Sequence, residues 1–166
     1  LRTQLRAKGY AFTSETDTEA IAHLLHDTLK TTPDLFDAVR ATISQLIGAY
    51  AIGVVSEAEP DRAIVARKGS PLLLGVGEDG HYAASDTAAL LQVTRKVVYL
   101  EDGDVAELTL DGYRVTLADG TTQTVLVPKV YLATNVKDLK GDGSLIAAKH
   151  NWLDIKRKER GEYPIV

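Results

Sequence analysis

With 166 residues, 45% of them hydrophobic, the chain has the size of one globular domain and enough apolar side chain to build a core. A net charge of -4, from 19 Lys+Arg against 23 Asp+Glu, gives no positive field for a phosphate backbone and argues against nucleic acid as a partner. The absence of cysteine excludes disulfides, thiolate metal sites and a cysteine nucleophile within these residues.

Leu1 and Leu5 share one face of a short helix that Gly9 can terminate, because glycine tolerates the left-handed conformation. Residues 10–13 then read as a short strand. Thr16 and Glu19 have the spacing of a capping box, in which the hydroxyl caps the helix and the carboxylate reaches back, so a helix is expected to begin there. Ile21, Leu24, Leu25, Thr28 and Leu29 give it one apolar stripe. Thr32-Pro33-Asp34 starts a second helix, with proline suited to its first position and Leu35, Val39, Ile43, Leu46 and Ile47 as its buried face.

From Gly48 the pattern changes to short apolar runs bounded by Gly, Pro and Asp, predicting strands at 49–56, 62–67, 72–76, 82–84, 96–100, 105–110 and 113–117. A short helix is expected at 88–93. Asp79-Gly80, Asp111-Gly112 and Asp119-Gly120 are turn dipeptides with a demand for positive φ, which makes neighbouring strands antiparallel. The fold class is therefore α+β, helices on a largely antiparallel sheet, and one sheet with two helices would leave an apolar face wanting a second layer. A further strand is expected near 125–132, and residues 135–144 read as loop. Lys156 to Arg160 is a charge run of the kind that forms a solvated helix face.

No apolar run approaches the roughly 20 residues of a membrane-spanning helix, and residues 1–9 alternate charge and leucine unlike a secretory leader. The chain reads as soluble and cytoplasmic, without a membrane partner. His23, His26, His81 and His150 lack metal-ligand spacing and read as structural or surface residues, so no metal is expected. Gly69-Ser70-Pro71-Leu72 lacks the final glycine of a serine-nucleophile elbow, and Gly75-Val76-Gly77 lacks the third glycine of a dinucleotide loop.

Ser14-Glu15-Thr16-Asp17-Thr18-Glu19, Gly48-Ala49-Tyr50-Ala51, Ala66-Arg67-Lys68-Gly69-Ser70-Pro71-Leu72, Ala84-Ser85-Asp86 and Glu101-Asp102-Gly103-Asp104 occur in that order. Together they resemble the glutaminase domain of the glutamine:fructose-6-phosphate aminotransferases, a class II glutamine amidotransferase family, over residues 1 to about 120. Asn151-Trp152 and Glu159 to Pro164 resemble the approach to that family's linker. The expected organisation is the C-terminal part of a glutaminase domain at 1–124, an unrecognised insertion or divergent segment at 125–150, and at 151–166 the start of a linker toward an absent sugar-isomerase domain.

The resemblance implies a partial N-terminal-nucleophile hydrolase fold, two antiparallel sheets between helical layers, with its first part missing. It implies ammonia release from glutamine for glucosamine-6-phosphate synthesis, the missing half-domain and sugar-isomerase domain as partners, a homo-oligomer, and no cofactor. The family's cysteine nucleophile, its Arg-Trp-x-Thr-His segment and its oxyanion Asn-Gly pair match nothing here, so no catalytic residue is assigned and these residues alone are expected to be inactive. One role carries over: Asp17 matches the aspartate that receives the α-ammonium of glutamine. The missing cysteine also leaves open a non-catalytic or engineered binding module derived from the half-domain.

Overall fold

The computed structural model describes residues 1–77, 80–126 and 163–164. They fall into two compact units that divide after Gly48. No helix among the described residues is long and apolar enough to cross a membrane.

The first unit is helical. Helix α1 (Arg2–Ala7) buries Leu5, and the chain turns out of it at Gly9, φ +91°, with the Tyr10 amide returning to the Leu5 carbonyl at 3.1 Å. Helix α2 (Asp17–Leu29) buries Leu24 and Leu25 of its expected stripe together with Ala20, while Ile21, Thr28 and Leu29 are half-buried. Helix α3 (Leu35–Ile43) is capped by Asp34, whose carboxylate accepts from the Asp37 amide at 2.9 Å. Pro33 therefore precedes the cap instead of taking the first helical position, because the Asp34 side chain satisfies the amide that proline cannot. The buried face of α3 is Leu35, Phe36, Ala38, Val39 and Thr42, whereas Ile47 lies beyond its end and is fully exposed at 101%. Thr42 donates to the Thr28 hydroxyl at 3.4 Å, where α3 meets α2.

Among the described residues the second unit is a pair of antiparallel sheets with one short helix. Strands β1 (Tyr50–Ser56), β2 (Glu59–Lys68), β6 (Val105–Thr109), β7 (Gly112–Thr116) and β8 (Thr122–Leu126) form one sheet in the order β1-β2-β6-β7-β8. The other has the order β4-β3-β5-β9, from β3 (Leu73–Val76), β4 (His81–Ala84), β5 (Lys96–Tyr99) and β9 (Tyr163–Pro164). The single sheet expected from the residues is thus two, because successive strands are shared out between them: β2 pairs with β6, skipping β3 to β5.

Strand alternation sets the register of the core. Val65, Ala106, Leu108, Tyr113, Val115 and Val125 of the first sheet and Leu74, Val76 and Val98 of the second join one buried cluster. The facing sides of the sheets therefore fill one another, and the uncovered inner face anticipated for a lone sheet does not arise. On the other side of the second sheet, Leu73 and Val97 pack with Leu90 of helix α4 (Thr87–Leu90). Gly75 permits this approach: a Cβ there would meet Thr94 Cγ2 at 2.9 Å and Leu90 Cδ2 at 3.1 Å. That glycine lies within β3, which removes the dinucleotide-loop reading.

Of the turn dipeptides, Asp119-Gly120 behaves as expected, with Gly120 at φ +89° and the Asp119 carboxylate accepting from the Thr121 amide at 2.8 Å. Gly112 instead opens β7 without a positive φ, since the β6–β7 hairpin closes through Thr109 and Gly112 themselves, 3.1 Å from hydroxyl to carbonyl. Asp79 lies outside the described residues. Strand β8 crosses the 124/125 boundary, with Val125 buried in the core; residues 127–150 and the charge run at 156–160 lie outside the described residues.

Candidate functional site

Asp17 is the first residue of α2, immediately after the cap residue Thr16, and is solvent-exposed. No described residue hydrogen-bonds or ion-pairs with its carboxylate. A first-turn carboxylate is favoured there by the positive end of the helix, yet its two oxygens stay available to a ligand.

The loop that presents Asp17 is held by side chains. Glu19 accepts from the Thr13 amide at 2.7 Å, the Thr13 hydroxyl at 3.0 Å, the Ser14 amide at 2.8 Å and the Ser14 hydroxyl at 2.6 Å. The capping box thus forms with a displaced return contact: Thr16 caps the Glu19 amide at 3.4 Å, but Glu19 reaches beyond Thr16 to residues 13 and 14, and Ser14 Oγ takes the Thr16 amide at 3.3 Å. Arg2 of α1 closes the outside, donating to the Ser14 carbonyl at 3.0 Å and the Thr16 carbonyl at 2.6 Å, with Glu15 at 3.6 Å.

Residues 10–13, expected as a strand, pair with no strand among the described residues, because side chains of α2 and α1 occupy them. His23 Nε2 contacts the Ala11 carbonyl at 3.0 Å, and its ring lies 4.9 Å from that of Tyr10 and 4.7 Å from that of Phe12. Arg2 sits 4.8 Å over the Phe12 ring, and the Tyr10 hydroxyl meets His26 Nδ1 at 2.7 Å. His23 and His26 are therefore structural, as read. Half-buried His81 bonds the Thr109 carbonyl through Nδ1 at 2.9 Å and is pushed below its usual pKa by burial. His150 lies outside the described residues, and no metal-holding cluster exists among those that are described.

The Ser14 hydroxyl and then the Thr13 amide hold the Glu19 carboxyl down to about 2, from an ordinary 4.5. A depressed carboxylate contributes stability that is complete above its unfolded pKa and lost as pH falls through its folded pKa. The Glu19 contribution should therefore disappear between about pH 4.5 and about pH 2. Asp27, Asp102 and Asp119 are also held low, so the check is residue-resolved: the Glu19 carboxyl ¹³C shift should titrate near the lower value. A midpoint at 4.5 would mean that the four contacts do not persist in solution.

The other shared strings have structural work. Gly69, φ +72°, gives its amide to Asp102 at 3.0 Å; Arg67 ion-pairs with Asp102 and donates to the Leu100 carbonyl at 2.9 Å, which ties the turn before β3 to the β5–β6 connection. Asp86 caps α4 through the Ala88 amide at 2.8 Å. The Gly69 and Arg67 contacts fit the expected turn before a buried strand.

The α+β unit with antiparallel sheets and the capped helix α2 are compatible with a glutamine amidotransferase domain. Residues 1–92 match the family described as glutamine amidotransferase domain, and the chain belongs to it. Among curated proteins it is 58% identical over 123 residues to the glutamine–fructose-6-phosphate aminotransferase (isomerizing) of Acidithiobacillus ferridurans, covering 74% of this chain and 20% of that protein. The enzymes of the same name from Xanthomonas campestris pv. campestris (54% over 114 residues; 69% and 19%) and Pseudomonas syringae pv. tomato (50% over 120 residues; 72% and 20%) are similar. The chain thus spans about a fifth of the length of the curated relatives it matches.

Sequence reasoning singled out Asp17 as a candidate through resemblance alone, since its spacing to Thr16 describes any acidic first turn. The roles of Thr16 and Glu19 were visible as the capping box. Arg2 carried no sequence signal, because nothing in the linear pattern brings it to residues 14 and 16.

Proposed function

We propose that these residues are part of a glutamine-hydrolysing domain whose ammonia is used to make glucosamine 6-phosphate from fructose 6-phosphate. Family membership and the shared name of the relatives support the substrate pair, and the two antiparallel sheets support a partial N-terminal-nucleophile hydrolase fold. The observation that carries the reading is the division of labour in one loop: Glu19 is consumed holding the backbone, Glu15 faces Arg2, and Asp17 alone keeps its carboxylate for a ligand. A rigidly presented anion suits the α-ammonium of glutamine, because a charge-assisted bond is short and directional.

In this reading Asp17 binds and orients glutamine and does not take part in bond breaking. A cysteine thiolate attacks the side-chain amide carbon, the base that took the thiol proton returns it to the departing nitrogen so that ammonia leaves, and water cleaves the resulting thioester to glutamate and the free thiol. That cysteine, its base and the oxyanion donors lie outside the 166 residues, which contain no cysteine. The reading assigns the remaining half-domain, a sugar-isomerase domain and a second copy as partners, and the cytoplasm as location.

The test is made on the complete encoded protein. It should release ammonia from glutamine, lose that activity to a thiol-alkylating reagent, and form glucosamine 6-phosphate when fructose 6-phosphate is added. The 166-residue chain alone should release no ammonia above buffer. Hydrolysis by the chain alone, or a complete protein that carries a cysteine and does not hydrolyse glutamine, would contradict the proposal.

A further inference from the structure

The hydrogen-bond directions in the loop are fixed by chemistry. An ionised carboxylate only accepts, so the Ser14 hydroxyl proton points to Glu19 Oε2 at 2.6 Å. With that proton committed, the 2.8 Å contact between the Ser14 and Thr16 hydroxyls requires Thr16 to donate. Thr16 Oγ1 in turn accepts from the Glu19 amide at 3.4 Å. Glu19 amide to Thr16, Thr16 to Ser14 and Ser14 to Glu19 carboxylate thus make a closed ring around residues 14–19, in which every donor runs the same way. The other oxygen of the Glu19 carboxylate, Oε1, accepts from the Thr13 amide and hydroxyl at 2.7 and 3.0 Å.

A carboxylate offers about four lone-pair sites, and these contacts, with the Ser14 amide at 2.8 Å, fill them. Glu19 therefore has no capacity left for a ligand. Arg2 braces the opposite side by bonding the two carbonyls that flank Glu15, those of Ser14 and Thr16. Asp17 is the next residue along the chain from the second of these.

We propose that Glu19 and Arg2 are positioning residues for Asp17, fixing the residue 13–16 backbone so that the ligand-binding carboxylate is presented in one orientation before glutamine arrives. This rests on the glutamine-binding reading. A loop fixed in advance removes an ordering cost from binding, and the immobilisation of one flexible segment or side chain typically changes affinity about two- to tenfold.

The experiment uses steady-state glutamine hydrolysis by the complete protein. Glu19→Gln keeps the shape but turns one acceptor oxygen into a donor, and it should raise the glutamine KM about two- to tenfold while kcat stays within about twofold. Introduced on top of Asp17→Asn, the same change should add nothing to KM, because the effect acts through Asp17. Hydrolysis of glutaramate, which is glutamine without its α-amino group, should be indifferent to Glu19→Gln. Should Glu19→Gln reduce the folded yield, Arg2→Lys, which cannot bridge both carbonyls with one planar fork, reads the same coupling from the other side. An unchanged KM in Glu19→Gln and Arg2→Lys, or an equal rise with and without the Asp17 carboxylate, would overturn the positioning role while leaving the binding role of Asp17 in place. An unchanged KM in Asp17→Asn itself would overturn both, and so separates the two failures.

Discussion

Asp17→Asn in the complete protein should weaken glutamine binding by roughly tenfold to a hundredfold, with a change in stability of no more than about 1 kcal/mol. Asparagine preserves the shape and leaves the Thr16 cap in place, so the change isolates the charge. A hydrogen bond to a charged group contributes about 1.5–3 kcal/mol, and each 1.4 kcal/mol is a factor of ten in affinity. The stability term is small because the residue is exposed and no described residue pairs with it. The glutamine KM for hydrolysis and a thermal melt on the same preparation would check both halves. Intact affinity combined with a lower Tm would make Asp17 a helix-end residue only.

The second large effect lies in the core between the sheets. Leu74 is 0% exposed, within the cluster shared by Val98, Val115 and Tyr113. Leu74→Ala should cost about 2–5 kcal/mol, the transfer free energy of the lost methyl groups plus a cavity that a strand pinned on both sides cannot close. Strand β3 is so pinned, by β4 on one edge and β5 on the other. Since whole domains are stable by only about 5–15 kcal/mol, urea midpoints should fall visibly. The control is Val55→Ala, at 80% exposure, which should stay within about 0.5 kcal/mol. A Leu74→Ala midpoint equal to that of the control would mean that the sheets do not pack face to face in solution.

What could be read in advance depended on how far each signal reached along the chain. The 3.6-residue stripe that includes Leu24 and Leu25 and the short apolar runs of β1, β6 and β7 are local and placed those elements within a residue or two of where they lie, whereas β2 begins at Glu59, three residues before the start expected at 62. The division of strands between two sheets was not legible from the residues, because the β2–β6 pairing spans the whole of β3, β4 and β5. Residues 10–13 failed for a different reason: Tyr10 to Thr13 has strand-like composition, but the groups that claim it, His23, Glu19 and Arg2, lie on helices before and after it. At the site, the cap was legible because Thr16 and Glu19 are three residues apart. Arg2 was not, because its bonds to Ser14 and Thr16 span 12 and 14 residues.

Strand β1 has β2 as its only neighbour among the described residues, so its other edge presents a row of main-chain donors and acceptors. Its residues, Tyr50 to Ser56, include no lysine, no proline and no charge, which are the usual devices for blunting such an edge; a single irregularity between Val55 and Ser56 interrupts it at one end. Any self-association of this chain should therefore draw on main-chain templating along that edge, and should grow with protein concentration. Salt and detergent, which act on charge and apolar surface, leave that route open, whereas a lysine in place of the outward-facing Val55 obstructs it at its source.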